Sequence, residues 1–349
     1  MNNRYPAPRY RLTVNGRDIT LEVSPRLISL TLTDHRGPEA DTLDIELSDH
    51  DGLLAIPPRG ATLQLWLGWS DTGLIDKGTF TVDETEHSGP PDILSIRARS
   101  ADLRGPLVKK RERSWHDTTL GEILRTLAQE HDLEPAISSQ FDQVEIPHLD
   151  QTDESDLNLI TRLGQDFDAV ATIKHGRLLF MPIGQGETAS GKDLPIVTLA
   201  RADGDQHRFL QADRDAYSGV KAHYYDLNGS ERLEAIVGDE DNAKTLRHTY
   251  ADRSSALRAA KAEWKKIQRG SATLSFTLAR GRPDLSPEWR YRVEGIKTGI
   301  GAIEWLGERV THQLGDGGLT TGLEMESRQA SPEDHPLLRS GMARLQALA

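Results

Sequence analysis

The sharpest candidate for chemistry in this chain is Gly186-Glu187-Thr188-Ala189-Ser190-Gly191-Lys192. Its spacing satisfies the first part of a phosphate-binding loop, where glycines let backbone amides close on phosphate oxygens and a lysine reaches the outer phosphates. The motif then fails on its own terms. Asp193 stands where a magnesium-binding Ser or Thr is needed, and Pro195 stands where a helix should begin to present its amides. The segment is therefore expected to be a polar connector. Gly299-Ile300-Gly301 has no third glycine in place and no clear helix after it, so a tight turn between strands is expected there.

Other chemistries find as little support. The 12 histidines contain no H-E-x-x-H or H-x-x-x-H pair. His312 sits in an alternating pattern and reads as an ordinary strand histidine. Asp203-Gly204-Asp205 and Asp239-Glu240-Asp241 resemble fragments of calcium loops, but neither has the glycine and terminal glutamate of a full loop. A glycosidase needs two placed carboxylates, and nothing singles out a pair among 54 acidic residues. Trp66 and Trp69 could form a sugar platform. The simpler reading puts Trp69 in the apolar register of its strand and Trp66 on the other face. No catalytic, cofactor-binding or metal-ligating residue is assigned, and a non-enzymatic protein is expected.

Composition narrows the class further. At 349 residues the chain should hold two or three domains. A hydrophobic content of 36% with 28% charged residues fits a folded, soluble protein. The net charge of −12 argues against stable nucleic-acid binding. It suits a surface that nucleic acid passes without adhering. The absence of cysteine excludes disulfides and thiolate chemistry. Met1 to Arg11 lacks the apolar core of a signal peptide. No run approaches the roughly 18 apolar residues that span a bilayer, so no membrane insertion and a cytoplasmic site of synthesis are expected.

The elements that would position any site begin with strands. Tyr10 to Val14 leads into Asn15-Gly16, a strong hairpin signal. Ile28, Leu30 and Leu32, then Leu43, Ile45 and Leu47, then Leu63, Leu65, Leu67 and Trp69, then Leu94, Ile96 and Ala98 alternate with polar residues. Phe80 and Val82 mark a further strand. Such strands have one buried and one wet face, and many in succession argue for an antiparallel barrel or sandwich. Lys109 to Arg113 reads as a basic connector. Thr119 and Glu122 predict a capping box ahead of Leu120, Ile123, Leu124 and Leu127 at helical spacing. A second helix is expected from about Glu154 with Asp153 as N-cap, and then a hairpin with Lys174-His175-Gly176-Arg177 as its turn.

β-pattern resumes with Val220 to Tyr225. Asn228 to Asp252 reads as an extended polar excursion. Ser254 or Ser255 is expected to cap a helix whose basic face holds Arg258, Lys261, Lys265, Lys266 and Arg269. That face is either solvated or turned to an acidic partner. Strands are expected around Leu274, at Trp289 to Val293, Ile303 to Leu306, Arg309 to Leu314 and Leu319 to Met325. The two β-regions have similar character, which hints at a large internal repeat.

Three segments together resemble a known family. Ser114-Trp115-His116-Asp117-Thr118-Thr119-Leu120-Gly121-Glu122-Ile123-Leu124 is similar to the opening of its central α/β domain. Glu154-Ser155-Asp156-Leu157-Asn158-Leu159-Ile160-Thr161-Arg162-Leu163 is similar to that domain's second helix. Residues 310–326, Val310-Thr311-His312-Gln313-Leu314-Gly315-Asp316-Gly317-Gly318 through Glu326, are similar to its closing hairpin. The family is the phage late-control protein D, the baseplate hub of contractile tails and tail-like particles, related to the hub part of type VI secretion spike proteins.

The resemblance implies an α+β, mainly β fold. Two tail-tube-like antiparallel β-barrels, at 1–103 and 186–330, would flank an α/β insert at 104–185. A helix near 254–269 would be inserted in the second barrel, and 331–349 would form a C-terminal tail. It also implies a homotrimeric ring that adapts a sixfold tail tube to a threefold central spike. Its partners would be the tube protein, the spike, other baseplate proteins and a tape-measure protein. The ring would form in the bacterial host cytoplasm and then reside in the baseplate. The family offers no shared catalytic residues to carry over. A tail-tip peptidoglycan hydrolase and a carbohydrate-binding β-protein remain the alternatives.

Overall fold

A computed structural model describes residues 5–37, 39–100, 106–211, 217–226 and 231–328. The expected boundary at 103/104 and the expected tail at 331–349 lie outside the described residues. Twelve strands of the main sheet are labelled here in chain order. In the first half they are β1 (Pro8–Val14), β2 (Leu27–His35), β3 (Thr42–Ser48), β4 (Thr62–Trp69), β5 (Gly73–Ser88) and β6 (Ile93–Arg99). In the second half they are β7 (Ile196–Ala200), β8 (Gly204–Gln211), β9 (Ala272–Leu278), β10 (Arg290–Glu294), β11 (Trp305–Gly315) and β12 (Gly318–Ser327).

Strand pairing turns the hint of a repeat into a specific pattern. The first half runs β1-β4-β5-β6-β3-β2, and the second runs β7-β10-β11-β12-β9-β8. Adding six to every label converts one order into the other. One feature departs from the match: β1 lies antiparallel to β4, whereas β7 lies parallel to β10. The halves are not separate barrels. β11 also pairs along β2, from Arg309↔His35 to Gly315↔Ser29, so both halves share one 13-stranded sheet, the short Arg17–Asp18 included. Strand pairing among the described residues does not close into a ring.

The local signals explain most elements. Asn15 and Gly16 both take positive φ, 50° and 81°, as the tightest hairpin turn requires. Alternation buries Leu30 and Leu32, Leu43 and Ile45, Leu63 and Leu65, and Leu94 and Ile96 in one core, which Leu314 and Leu319 of the second half complete. A second-half core gathers Leu274, Phe276, Tyr291, Trp305 and Leu323.

Between the halves, α1 (Leu120–Glu130) and α2 (Asp156–Phe167) cover two small sheets. The Thr119–Glu122 capping box forms as expected. The expected basic connector is instead a strand, Lys110–Thr119, antiparallel to Glu145–Ser155. Arg111 and Arg113 alternate toward Glu130 and Asp156, so these cations are pairing residues in a ladder. The N-cap of α2 is Ser155, whose hydroxyl accepts from the Asn158 amide, and not Asp153, which lies two residues earlier at φ 49°. The hairpin Ala169–Lys174 with Arg177–Pro182 is as expected.

The supposed excursion at 228–252 contains two strands, Glu231–Gly238 and Ala243–Tyr250, on either side of Gly219–Asp226. The helix α3 (Arg253–Arg269) packs across them through Ala256 and Ala260. Its N-cap is Asp252, which accepts from the Ser255 amide at 3.0 Å, so neither serine caps it. A single carboxylate can accept from backbone and hydroxyls together, as Asp252 does with both serines. The two strands expected at 303–306 and 309–314 are one, β11, kinked by a bulge between Gly307 and Arg309.

Leu32 is fully buried at the seam opposite His312. Truncation to alanine should cost about 2–5 kcal/mol. The expected readout is a lower urea midpoint with an unchanged slope.

Candidate functional site: a buried ionic junction

The sequence candidates for chemistry are dispersed by the fold. Residues 186–192 close on themselves: the Thr188 amide donates to the Lys192 carbonyl at 2.8 Å, and the Gly191 amide to the Thr188 carbonyl at 2.9 Å. A strand follows where a phosphate site would need a helix. Thr298–Gly301 is a single helical turn where a plain turn was expected. Asp203 is engaged in accepting from the Ala200 amide, and Glu240 in pairing with Lys221. The tryptophans share no open platform. Arg11 lies over Trp66 at 4.6 Å, and Arg280 over Trp69 at 5.0 Å, with the Trp69 indole donating to the Gly281 carbonyl.

What the fold does bring together is charge. Arg269, at the end of α3, is only 4% exposed. It leaves the expected basic face, on which Lys261, Lys265 and Lys266 remain exposed and Arg258 stacks over Phe167 at 4.4 Å. Its guanidinium forks onto both carboxylate oxygens of Asp168, at 2.8 and 2.5 Å, and its Nε reaches Glu326 Oε1 at 3.1 Å. Asp168 caps α2 in the left-handed region, at φ 52°, a conformation that Asp tolerates better than most residues. Arg36, just beyond β2, reaches Glu326 at 2.5 Å and Glu288 at 3.4 Å. Five residues from the first half, the insert, α3 and the second half thus form one cluster.

Two guanidiniums here face three carboxylates. The excess negative charge falls on Glu288, the carboxylate with the fewest donors. Burial pushes its carboxyl up to about 7 despite Arg36 nearby and the Gly184 amide donating at 3.0 Å. Arg36 is itself desolvated, but Glu326 and Glu288 hold its guanidinium above the ordinary value.

A second cluster flanks the first. Lys77 pairs with Asp34 at 2.9 Å, Lys174 with Asp41 at 2.9 Å, and Lys174 also donates to the His35 carbonyl. His312 is completely buried beside Asp34. Its Nδ1 meets the Thr321 hydroxyl at 2.9 Å, and desolvation with Lys77 pushes its imidazole down to about 3, so it is neutral. Asp34, Asp41, Lys77 and Lys174 line a cleft, and the two lysines are engaged by the two carboxylates.

A grouping that the sequence did not suggest is Glu130, His131 and Asp156, whose ligand-type atoms lie within 4.8 Å of one another. Arg111 and Arg113 supply the positive charge there, and His131 Nε2 lies 2.8 Å from Asp156. It is an ion-paired brace beneath the insert's first sheet.

The fold and the junction define a structural class: a mainly β, α+β scaffold whose buried charges lock successive modules together. Its overall path matches a 43 kDa tail protein of prophage MuSo2 from Shewanella oneidensis, with TM-score 0.68 and 15% identity over 91% of this chain and 98% of that one. It also matches the E. coli c3393 protein, described as a type VI secretion component similar to T4 tail proteins gp27 and gp5, with TM-score 0.53 and 14% identity over 92% of this chain and 77% of that one.

At the sequence level, the model of the phage tail baseplate hub family (GPD) matches residues 39–318. Probable baseplate hub proteins of Escherichia phages 186 and P2 are 45% and 43% identical, covering 94% and 93% of this chain and 95% of each relative. The chain belongs to the phage tail baseplate hub family.

Replacing Arg269 with methionine leaves Asp168 and Glu326 buried without their shared cation. It should cost about 3–5 kcal/mol, read by urea unfolding. Glu288 makes a pH prediction. A carboxyl whose folded pKa stands above its unfolded 4.5 contributes stability that is present in acid and lost as pH rises through about 7. E288Q lacks that loss. Its stability relative to the parent should therefore climb between pH 5 and pH 8 by on the order of 2–3 kcal/mol, as parallel urea titrations would show.

Proposed function

We propose that this chain is the baseplate hub of a contractile tail or tail-like particle, acting as a homotrimeric ring between a sixfold tail tube and a threefold spike. The observation that carries the reading is the duplicated strand order. One chain holds two β-modules of the same strand order, so three chains offer six, the number needed to meet a sixfold tube while retaining threefold symmetry for a spike. In this reading the modules are 1–103 and 186–330, each serving as a tube-like barrel unit, with 104–185 as a lateral α/β insert. The net charge of −12 fits a lumen that does not retain passing nucleic acid.

The partners are the tube protein, the central spike, other baseplate proteins and a tape-measure protein. The hub acts by shape and symmetry, without catalysis. It assembles in the bacterial host cytoplasm and works in the baseplate.

Light scattering coupled to gel filtration tests the ring. The expected mass is three times the 38.7 kDa chain alone, or that mass plus the bound spike's own in the complex. A mass of one chain under both conditions would overturn the trimer.

A further inference from the structure

The duplication makes a statement about contacts beyond one chain. β8 ends the main sheet. It pairs with β9 on one side, and no strand among the described residues pairs on the other. Asp205 through Arg208 are exposed, as are Leu210 and Gln211. A long open edge of this kind is normally covered or blunted, because its free amides and carbonyls invite another strand. The equivalent strand of the first half, β2, is covered. Its outer side carries β11.

The relation that covers β2 can be applied once more. If β2 of the first module meets β11 of the second, then β8 of the second should meet β5 of a following first module. β5 has the space. β4 pairs with it from Gly73 to Thr81, and residues 60–61 extend that contact to Val82. Beyond that point residues 84–88 pair with β6 alone. In β11 the corresponding stretch, 309–315, is the part that holds β2.

Register follows from the hairpins. The last pair before the turn is Ser88↔Ile93 in one module and Gly315↔Gly318 in the other. The alignment sets buried Leu94, Ile96 and Ala98 against buried Leu319, Thr321 and Leu323. On the other side, β3 with β6 and β9 with β12 place His207 where Leu32 stands and Arg208 where Thr33 stands. Transferring His312↔Leu32 and Thr311↔Thr33 then gives Thr85↔His207 and Glu84↔Arg208.

We propose that residues 204–208 of one copy add antiparallel to residues 84–88 of the next copy, in the register Thr85↔His207 and Glu84↔Arg208. The proposal rests on the homotrimer reading and supplies its interface. The register places Arg208 opposite Glu84, which already pairs with Arg97 within its own chain, and Asp205 leaves the open edge of β8 without a net positive charge, so the proposal rests on the strand geometry. The contact is head-to-tail, so it forms a ring only if the rotation closes, and the homotrimer reading requires that three chains close it.

The absence of native cysteine makes the test clean. Two double variants are oxidised in the full-length protein, T85C with H207C and E84C with R208C. Adjacent antiparallel pairs alternate between wide and narrow spacing, so one of the two fits disulfide geometry. A third variant, T85C with D205C, is shifted out of register by two residues. The expected result is covalent trimers on a non-reducing gel from at least one in-register variant and few or none from the shifted one. In the parent protein, amides of 84–88 and 204–208 should exchange slowly in the trimer.

Equal cross-linking in all three variants overturns the register. A three-chain mass with no cross-link and fast exchange at both edges overturns the strand pairing and leaves the trimer standing. A one-chain mass removes the trimer itself.

Discussion

The structure depends first on the pairing of β2 with β11. These strands lie far apart in the chain and belong to different modules, yet they run side by side over seven paired positions. Without that ladder the two halves would each present a bare edge. With it, Leu314 and Leu319 of the second module become part of the first module's core. Backbone hydrogen bonds and apolar burial thus act at the same seam, and neither half is complete without the other.

Beside that seam lies charge rather than hydrocarbon. Arg36, Arg269, Asp168, Glu288 and Glu326 are all nearly buried, and removing them from water opposes folding. Their attraction offsets that cost only in one geometry, because the fork of Arg269 must meet both oxygens of Asp168 while its Nε faces Glu326. Apolar side chains would tolerate sliding between the modules. The ionic cluster does not, and it fixes how the insert and α3 sit on the sheet.

The duplicated strand order connects the single chain to its assembly. A protein made of two equivalent modules already contains one example of its module-to-module contact. Repetition of that contact, as proposed, would cover β8, whose open edge otherwise presents an aggregation hazard. The departure at β7, parallel to β10 where β1 is antiparallel to β4, lies at the far side of the module from this contact.

By itself the sequence determined many of the strands, which faces they bury and several of their turns. Alternation at Leu30 and Leu32 or Leu94 and Ile96, the Asn15-Gly16 turn and the Thr119–Glu122 box are local effects, set by side-chain period, φ preference and a capping bond within four residues. It also ruled against the phosphate loop, because Asp193 and Pro195 carry the wrong chemistry. It misread Lys109 to Arg113, 228–252 and Arg269, where polar residues looked solvated. Arg111, Arg113 and Arg269 face carboxylates in the fold, and charge in a sequence does not name its partner. Only the tertiary structure decided that β2 lies against β11 and that Arg269 meets Asp168 and Glu326. Strand-to-strand hydrogen bonds are made by backbone groups common to every residue, so the period of a strand states which face is buried and leaves its neighbour to the fold.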